Sequence, residues 1–226
     1  MKTIKILIPF LGMFALPILW GCSTPNDDEQ TVCSWQVVFS DDYQRPDGQI
    51  GSNYSFQVST GGGAAADIFS NRLRIMGTGY WAIRYVNPVT GDIQRVSMIY
   101  EGKANTNIMV AAKSRDLGGS WQQQEFYAAV ANDSILSIQK CQGAQPQILA
   151  WVDFPVVQGH LIRLEILVDN DVITVAAEDL TAGVKKVLSF TDTGTLCIGT
   201  TVSINGCCMI DDEAILVDDF KVEACK

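Results

Sequence analysis

Residues 33–226 predict an all-β fold, a two-sheet antiparallel jelly-roll sandwich. Three observations predict it. Apolar and polar residues alternate over short runs instead of recurring every three or four positions. Gly, Asn and Asp interrupt those runs at short intervals. No stretch after Cys33 holds a helical period for long, and about 200 residues suffice for one sandwich with a full core.

The chain opens with Lys2 and Lys5, an apolar run from Ile6 to Trp20, then Gly21-Cys22. That order of basic, apolar and small-residue regions is an export signal. The apolar run is shorter than the roughly 20 residues a spanning helix needs, and Pro9 and Pro17 interrupt it. Leu19-Trp20-Gly21-Cys22 resembles the lipobox of bacterial lipoproteins, although Trp20 stands where a small or β-branched residue is usual. The resemblance implies a signal peptide over 1–21, lipid attachment at Cys22, and membrane association through that lipid. Residues 22–32 read as a polar tether, with Pro25, Asp27, Asp28 and Glu29. Ser23 lacks the Asp that retains lipoproteins at the inner membrane in enteric-type sorting. The resemblance therefore implies an outer-membrane lipoprotein facing the periplasm or the cell surface.

Seven cysteines are an odd number for an oxidising compartment. With Cys22 lipidated, Cys33, Cys141, Cys197, Cys207, Cys208 and Cys225 remain for three disulfides. Neighbouring Cys207 and Cys208 make a strained pair. Cys33 with Cys225 is the expected bridge, because terminal strands often lie side by side in a sandwich. No spacing is a C-x-x-C zinc or redox signature.

Without Lys2 and Lys5, 14 basic residues face 25 acidic ones, a net charge of −11. Such a surface repels phosphate backbones, so nucleic acid is excluded as a partner. Neutral glycans, envelope proteins and divalent cations remain open.

The strands follow in order. The clearest is the hairpin His160–Glu178, where Ile162, Leu164, Ile166 and Val168 share one face. A two-residue turn at Asn170-Asp171 sets Val168 against Ile173, Ile166 against Val175, Leu164 against Ala177 and Arg163 against Glu178. A second hairpin, Gln123–Lys140, is expected to turn at Asn132-Asp133. It pairs Tyr127 with Ile138, Ala129 with Leu136 and Glu125 with Lys140. Further strands are expected at 33–40, 71–76, 80–86, 93–100, 107–113, 147–153, 184–190, 195–200 and 214–224. The Gly61–Ala66 segment reads as a flexible loop, because a phosphate cradle would need a Lys-Ser/Thr ending.

Two segments carry a family resemblance. The first runs Phe39-Ser40-Asp41-Asp42-Tyr43-Gln44-Arg45-Pro46-Asp47-Gly48-Gln49-Ile50-Gly51-Ser52-Asn53-Tyr54, with a type I turn at Arg45–Gly48. The second is Ile215-Leu216-Val217-Asp218-Asp219-Phe220-Lys221-Val222-Glu223. Together they resemble the opening and closing segments of bacterial concanavalin A-like (laminin-G-like) domains. Gly118-Gly119-Ser120-Trp121 falls between them in the same order as in those domains. The resemblance covers Cys33 to Cys225. It implies adjacent terminal strands and, in many members, a structural calcium ion. In the last strand, alternation places Asp218 on the face of Leu216, Phe220 and Val222, where a carboxylate needs donors or a cation. Asp41, Asp42 and Asp218 are the candidate Ca²⁺ ligands. The alternative is that Asp218 accepts N–H bonds from the loop around Asp42–Gly48.

Some members of this family are glycoside hydrolases, which need two facing carboxylates. The Glu-x-Asp-x-x-Glu strand of the laminarinase type is absent. Glu165 and Asp169 are expected on the solvent face, and Arg163 accounts for Glu178. His160 is the single histidine and supports neither a multi-histidine zinc site nor, without Gly-x-Ser-x-Gly, a serine triad. Oxidised cysteines supply no thiolate. For sugar binding, an aromatic face must meet the pyranose while polar groups take its hydroxyls. Trp121 in its Gly-rich loop, Tyr80 beside Trp81, and Trp151 near Asp153 are the candidates. The alternative reading makes Trp81 and Trp151 core residues and Trp121 an edge cap. The leading expectation is a non-catalytic glycan- or protein-binding module. Its rivals are a glycoside hydrolase or lyase of the same fold, and a purely structural envelope component.

Overall fold

Alternation along the chain becomes strands, and the described residues contain no helix. The computed structural model describes residues 33–58, 62–103, 105–116, 124–143, 145–207 and 214–225. The strands are β1 (Trp35–Asp41), β2 (Tyr54–Val58), β3 (Ala65–Phe69), β4 (Arg72–Met76), β5 (Trp81–Tyr85), β6 (Ile93–Glu101), β7 (Asn107–Asp116) and β8 (Gln124–Ala131). They continue as β9 (Ile135–Gln142), β10 (Gln147–Asp153), β11 (Leu161–Asp169), β12 (Val172–Asp179), β13 (Val184–Thr191), β14 (Thr201–Cys207) and β15 (Ile215–Cys225).

Two antiparallel sheets result. One runs β13-β12-β11-β6-β15-β4-β3, with β1 also paired to β15; the other runs β10-β9-β8-β7-β14-β5-β2. Between them lies the core, with Tyr43, Trp81, Tyr100, Tyr127, Phe154 and Phe220 its largest buried side chains.

The β11–β12 hairpin has the expected register, with Val168 opposite Ile173, Ile166 opposite Val175, Leu164 opposite Ala177 and Arg163 opposite Glu178. Asn170 takes the left-handed conformation (φ 53°) that the tight turn demands. Arg163 Nη1 donates to Glu178 Oε2 at 3.2 Å.

The β8–β9 hairpin is shifted. Tyr127 faces Lys140, Ala129 faces Ile138, Ala131 faces Leu136 and Glu125 faces Gln142, two residues from the expected register. The cause is the turn. The Asn132 amide donates to the Ile135 carbonyl at 3.2 Å and its side-chain oxygen accepts the amides of Ser134 and Ile135 at 3.1 and 3.0 Å, which centres the reversal on Asp133-Ser134, one residue later than expected. A two-residue slip keeps every side chain on its face, so the apolar pattern does not detect it.

Three other expectations change. Residues 195–200 are not a strand; β14 begins at Thr201. Asp192 anchors the segment ahead of β14, accepting Lys140 Nζ and the Tyr127 hydroxyl, each at 2.6 Å. The Thr195 carbonyl accepts Lys140 Nζ and Gln142 Nε2 at 2.6 and 2.7 Å, so that carbonyl is spent on side chains instead of a neighbouring strand. Ala65 and Ala66, read as loop, begin β3, which pairs with β4 through a Ser70-Asn71 turn with positive φ at both residues. In β15, a bulge between Asp218 and Lys221 inserts a residue, with Asp219 at φ 45°. Val217 and Phe220 therefore both point to the core, while Leu216 and Asp218 turn away from it. The expected core-facing Asp218 is corrected by that bulge.

Candidate functional site

The expected calcium ligands are brought near one another, yet their oxygens are engaged elsewhere. Asp41, at the end of β1, accepts the Tyr43 amide (2.8 Å) and Arg45 Nη1 (2.6 Å) on Oδ1, and the Tyr54 hydroxyl (2.9 Å) on Oδ2. Arg45 Nη2 in turn donates to the Ile50 carbonyl at 2.9 Å, which folds the 41–51 loop onto β2. A carboxylate neutralised by a guanidinium and holding three donors is a poor ligand for a hard cation. Asp42 accepts the Gln44 amide at 3.1 Å, and Asp218 accepts that of Asp219 at 2.9 Å. Burial pushes the Asp218 carboxyl above its ordinary pKa. Among the described residues, no three His, Cys, Asp or Glu side chains are grouped to hold a metal. Asp41 is thus committed to the 41–51 loop, Asp42 holds one amide of that loop, and Asp218 holds the Asp219 amide at the β15 bulge.

The cysteines divide. Cys33 and Cys225 form a disulfide at the β1–β15 pair. Cys197 differs from the expectation of a bridge: it keeps its thiol in the core and donates to the Cys141 carbonyl at 3.8 Å. Burial pushes its pKa up to about 12, so it supplies no thiolate near neutral pH. Cys141 faces away from that core, in a second buried cluster with Met109, Phe126 and Val130. Cys207 pairs with Asn107 while Cys141 pairs with Phe126, which separates them along the sheet by roughly 17 Å or more. Cys22 and Cys208 lie outside the described residues.

Of the aromatic candidates, Trp81 is a core residue, 1% exposed, its ring laid against the Gly206 backbone. Tyr80 is half-buried, its hydroxyl 3.7 Å from Met109 Sδ. Trp151 is different: 60% exposed, on the rigid edge strand β10. Cross-strand pairing runs Trp151–Ser137–Val130–Met109–Asn205, so Trp151 stands three strand spacings, about 14 Å, from the Met109 that Tyr80 touches. Sequence candidates Tyr80 and Trp151 therefore share a sheet but not a site. Trp121 lies outside the described residues.

The charged face of the other sheet is tied together by ion pairs. Arg95 lies 4.0 Å from Glu165 and 3.7 Å from Glu223, and Asp169 accepts the Asn170 side-chain amide. His160 Nδ1 meets Asp179 Oδ2 at 2.7 Å, and Asp179 Oδ1 accepts the Thr181 and Ala182 amides. Burial raises the Asp179 pKa, but His160 and the two amides outweigh it and hold the carboxyl below its ordinary range. The pair closes the β12–β13 turn.

Sequence reading missed one feature of the Trp151 flank. A cleft of about 420 Å³ opens between the β6–β7 and β8–β9 turns, lined by Asn105, Thr106, Asn107, Asn132, Asp133 and Ser134, with Ile135 at its edge. The signal was two clusters of Asn, Thr and Ser, which read singly as turns.

No protein-family model and no curated protein matches the sequence. Solved structures do. The "CBM2" module of the evolved Dit protein of Lactobacillus casei BL23 phage J-1 is 12% identical over 85% of this chain and 97% of its own, with a TM-score of 0.61. The fold is a lectin-type jelly roll. Winged bean acidic lectin, solved with methyl-α-D-galactose, superposes with a TM-score of 0.60 at 11% identity, covering 85% of this chain and 100% of its own. A Bacillus subtilis protein of unknown function with a galectin-like fold gives 0.61 at 8% identity, covering 85% and 99%. The expected two-sheet antiparallel jelly-roll sandwich is thus the architecture found.

Proposed function

We propose that this chain is a lipid-anchored envelope lectin, a non-catalytic module that binds a glycan on the flank of its seven-stranded sheet. The observation that carries the reading is Trp151. An indole 60% exposed on a strand offers a flat apolar face to a pyranose ring. Ile148, exposed on the same face, extends it, and Gln139, opposite Ile148, brings an amide to meet hydroxyls. Support comes from the structural neighbours, one of them a lectin solved with a galactoside. The Leu19–Cys22 segment supports export and attachment through lipid at Cys22, with the outer membrane as address.

A glycan array probed with the full-length protein in detergent micelles, with calcium and again with chelator, tests this. Specific binding is expected, equal under both conditions because Asp41 is already neutralised by Arg45. Trp151→Ala should abolish it, at least tenfold in Kd, which corresponds to about 1.4 kcal/mol. Binding untouched by Trp151→Ala would sink the assignment. For the anchor, Cys22→Ala should release the protein from the membrane fraction.

A further inference from the structure

We infer that the cleft between the β6–β7 and β8–β9 turns is the hydroxyl-binding subsite of this lectin and that it selects neutral sugars; the inference rests on the Trp151 reading above. Register supplies the adjacency. Ile135, at the edge of the cleft, pairs with Asp153, and Trp151 lies two residues further along the same face of β10, about 7 Å away. A sugar stacked on the indole thus sets its neighbour in the chain over the cleft.

The walls are held rigid by bonds of their own. Asp133 Oδ1 accepts the Asn105 amide at 2.7 Å, joining the two turns. Asn132 Oδ1 accepts the Ser134 and Ile135 amides, and Thr106 Oγ1 donates to the Lys103 carbonyl at 2.8 Å. The Asn132 side-chain nitrogen, the Asn105 side-chain amide and the Ser134 hydroxyl take part in none of these bonds. Together they offer both donors and acceptors, the mixture that adjacent sugar hydroxyls require. Selectivity follows from charge. Among the described residues no Lys or Arg lines the cleft, and Asp133, the carboxylate among them, repels uronate, sialate and sulfate groups. A volume of about 420 Å³ suits a small ligand.

Two substitutions spare the turns. Asn105→Gly keeps the left-handed backbone (φ 57°) and removes the amide; Ser134→Ala removes the hydroxyl. Titration calorimetry of the full-length protein with the neutral oligosaccharides that score on the array should show each variant binding 2- to 10-fold more weakly, at an unchanged melting temperature. Acidic counterparts of the same glycans should bind at least tenfold more weakly than neutral ones. Variants that bind like wild type, while Trp151→Ala does not bind, would overturn the cleft and leave the lectin reading standing. A preference for acidic glycans would overturn its selectivity. No glycan binding at all would remove both.

Discussion

At the scale of single residues, the acids of this chain act chiefly as structural partners. Asp192 is the strongest case: buried, it accepts Lys140 Nζ and the Tyr127 hydroxyl on one oxygen and the Gly194 amide on the other. Burial raises its pKa, but Lys140, Tyr127 and the amide outweigh this and hold it below the ordinary carboxylate range. Asp179 is lowered in the same sense by His160. A carboxyl whose folded pKa lies below its unfolded value near 3.9 stabilises the fold fully above that pH. The contribution is lost as pH falls through the folded value. The urea midpoint is therefore expected to hold down to about pH 5 and then fall steeply. In Asp192→Asn, Lys140 is left buried without its counter-charge, at a cost of about 3–5 kcal/mol at pH 7. Its acid limb should be shallower, because one of the titrating groups is gone. Urea melts of both proteins across pH 3–7 check this, and parallel acid limbs would show that Asp192 does not titrate with folding.

At the scale of elements, what the sequence reveals depends on turn chemistry. Apolar alternation locates a strand and chooses its face, but register is set where the chain reverses. The β11–β12 hairpin is legible because Asn170-Asp171 forms a two-residue turn and the charged pair Arg163–Glu178 agrees with it. The β8–β9 hairpin misleads because Asn132 spends its side-chain oxygen on two amides and the turn moves to Asp133-Ser134, a choice with no trace in the alternation. β3 is hidden by small residues, and the β15 bulge by an unremarkable Asp218-Asp219 pair. The same argument yields a prediction for Asn170. A β-branched side chain in the left-handed region costs roughly 1–2 kcal/mol, and glycine pays no such penalty. Asn170→Val should lower the unfolding free energy by about that amount, while Asn170→Gly stays within about 0.5 kcal/mol of wild type. Chemical denaturation of the two variants side by side measures the difference. Equal losses would mean that the turn relaxes out of φ 53° at no cost.

At the scale of the whole molecule, the sandwich is closed by its own ends. β1 pairs with β15, and Cys33–Cys225 locks the first described residue to the last strand across 192 positions. Adjacent ends were legible because terminal strands often lie side by side in a sandwich and a cysteine stands near each end of residues 33–226. The site was much less so: an exposed indole and a buried one look alike in sequence, and only burial separates Trp151 from Trp81. The amide cleft depends on two distant turns meeting, as Asn105 and Asp133 do across 28 positions. The disulfide has a definite consequence for an anchored module. Without it, β1 is held to β15 by strand pairing alone, next to the proposed tether, and can peel while the two-sheet core persists. Removing a loop-closing bridge of this span should cost about 2–5 kcal/mol, mostly through the unfolded chain. Cys33→Ser with Cys225→Ser is thus expected to lower the melting temperature by several degrees and to speed proteolysis at the N-terminal strand before the rest. Glycan affinity should stay unchanged, because Trp151 lies on the opposite sheet from β1 and no residue of β1 or β15 lines the cleft among the described residues. Mass spectrometry of timed digests, read beside calorimetric binding on the same preparation, distinguishes a clamp from a site component: loss of binding with β1 still intact would place the chain's ends in the recognition machinery.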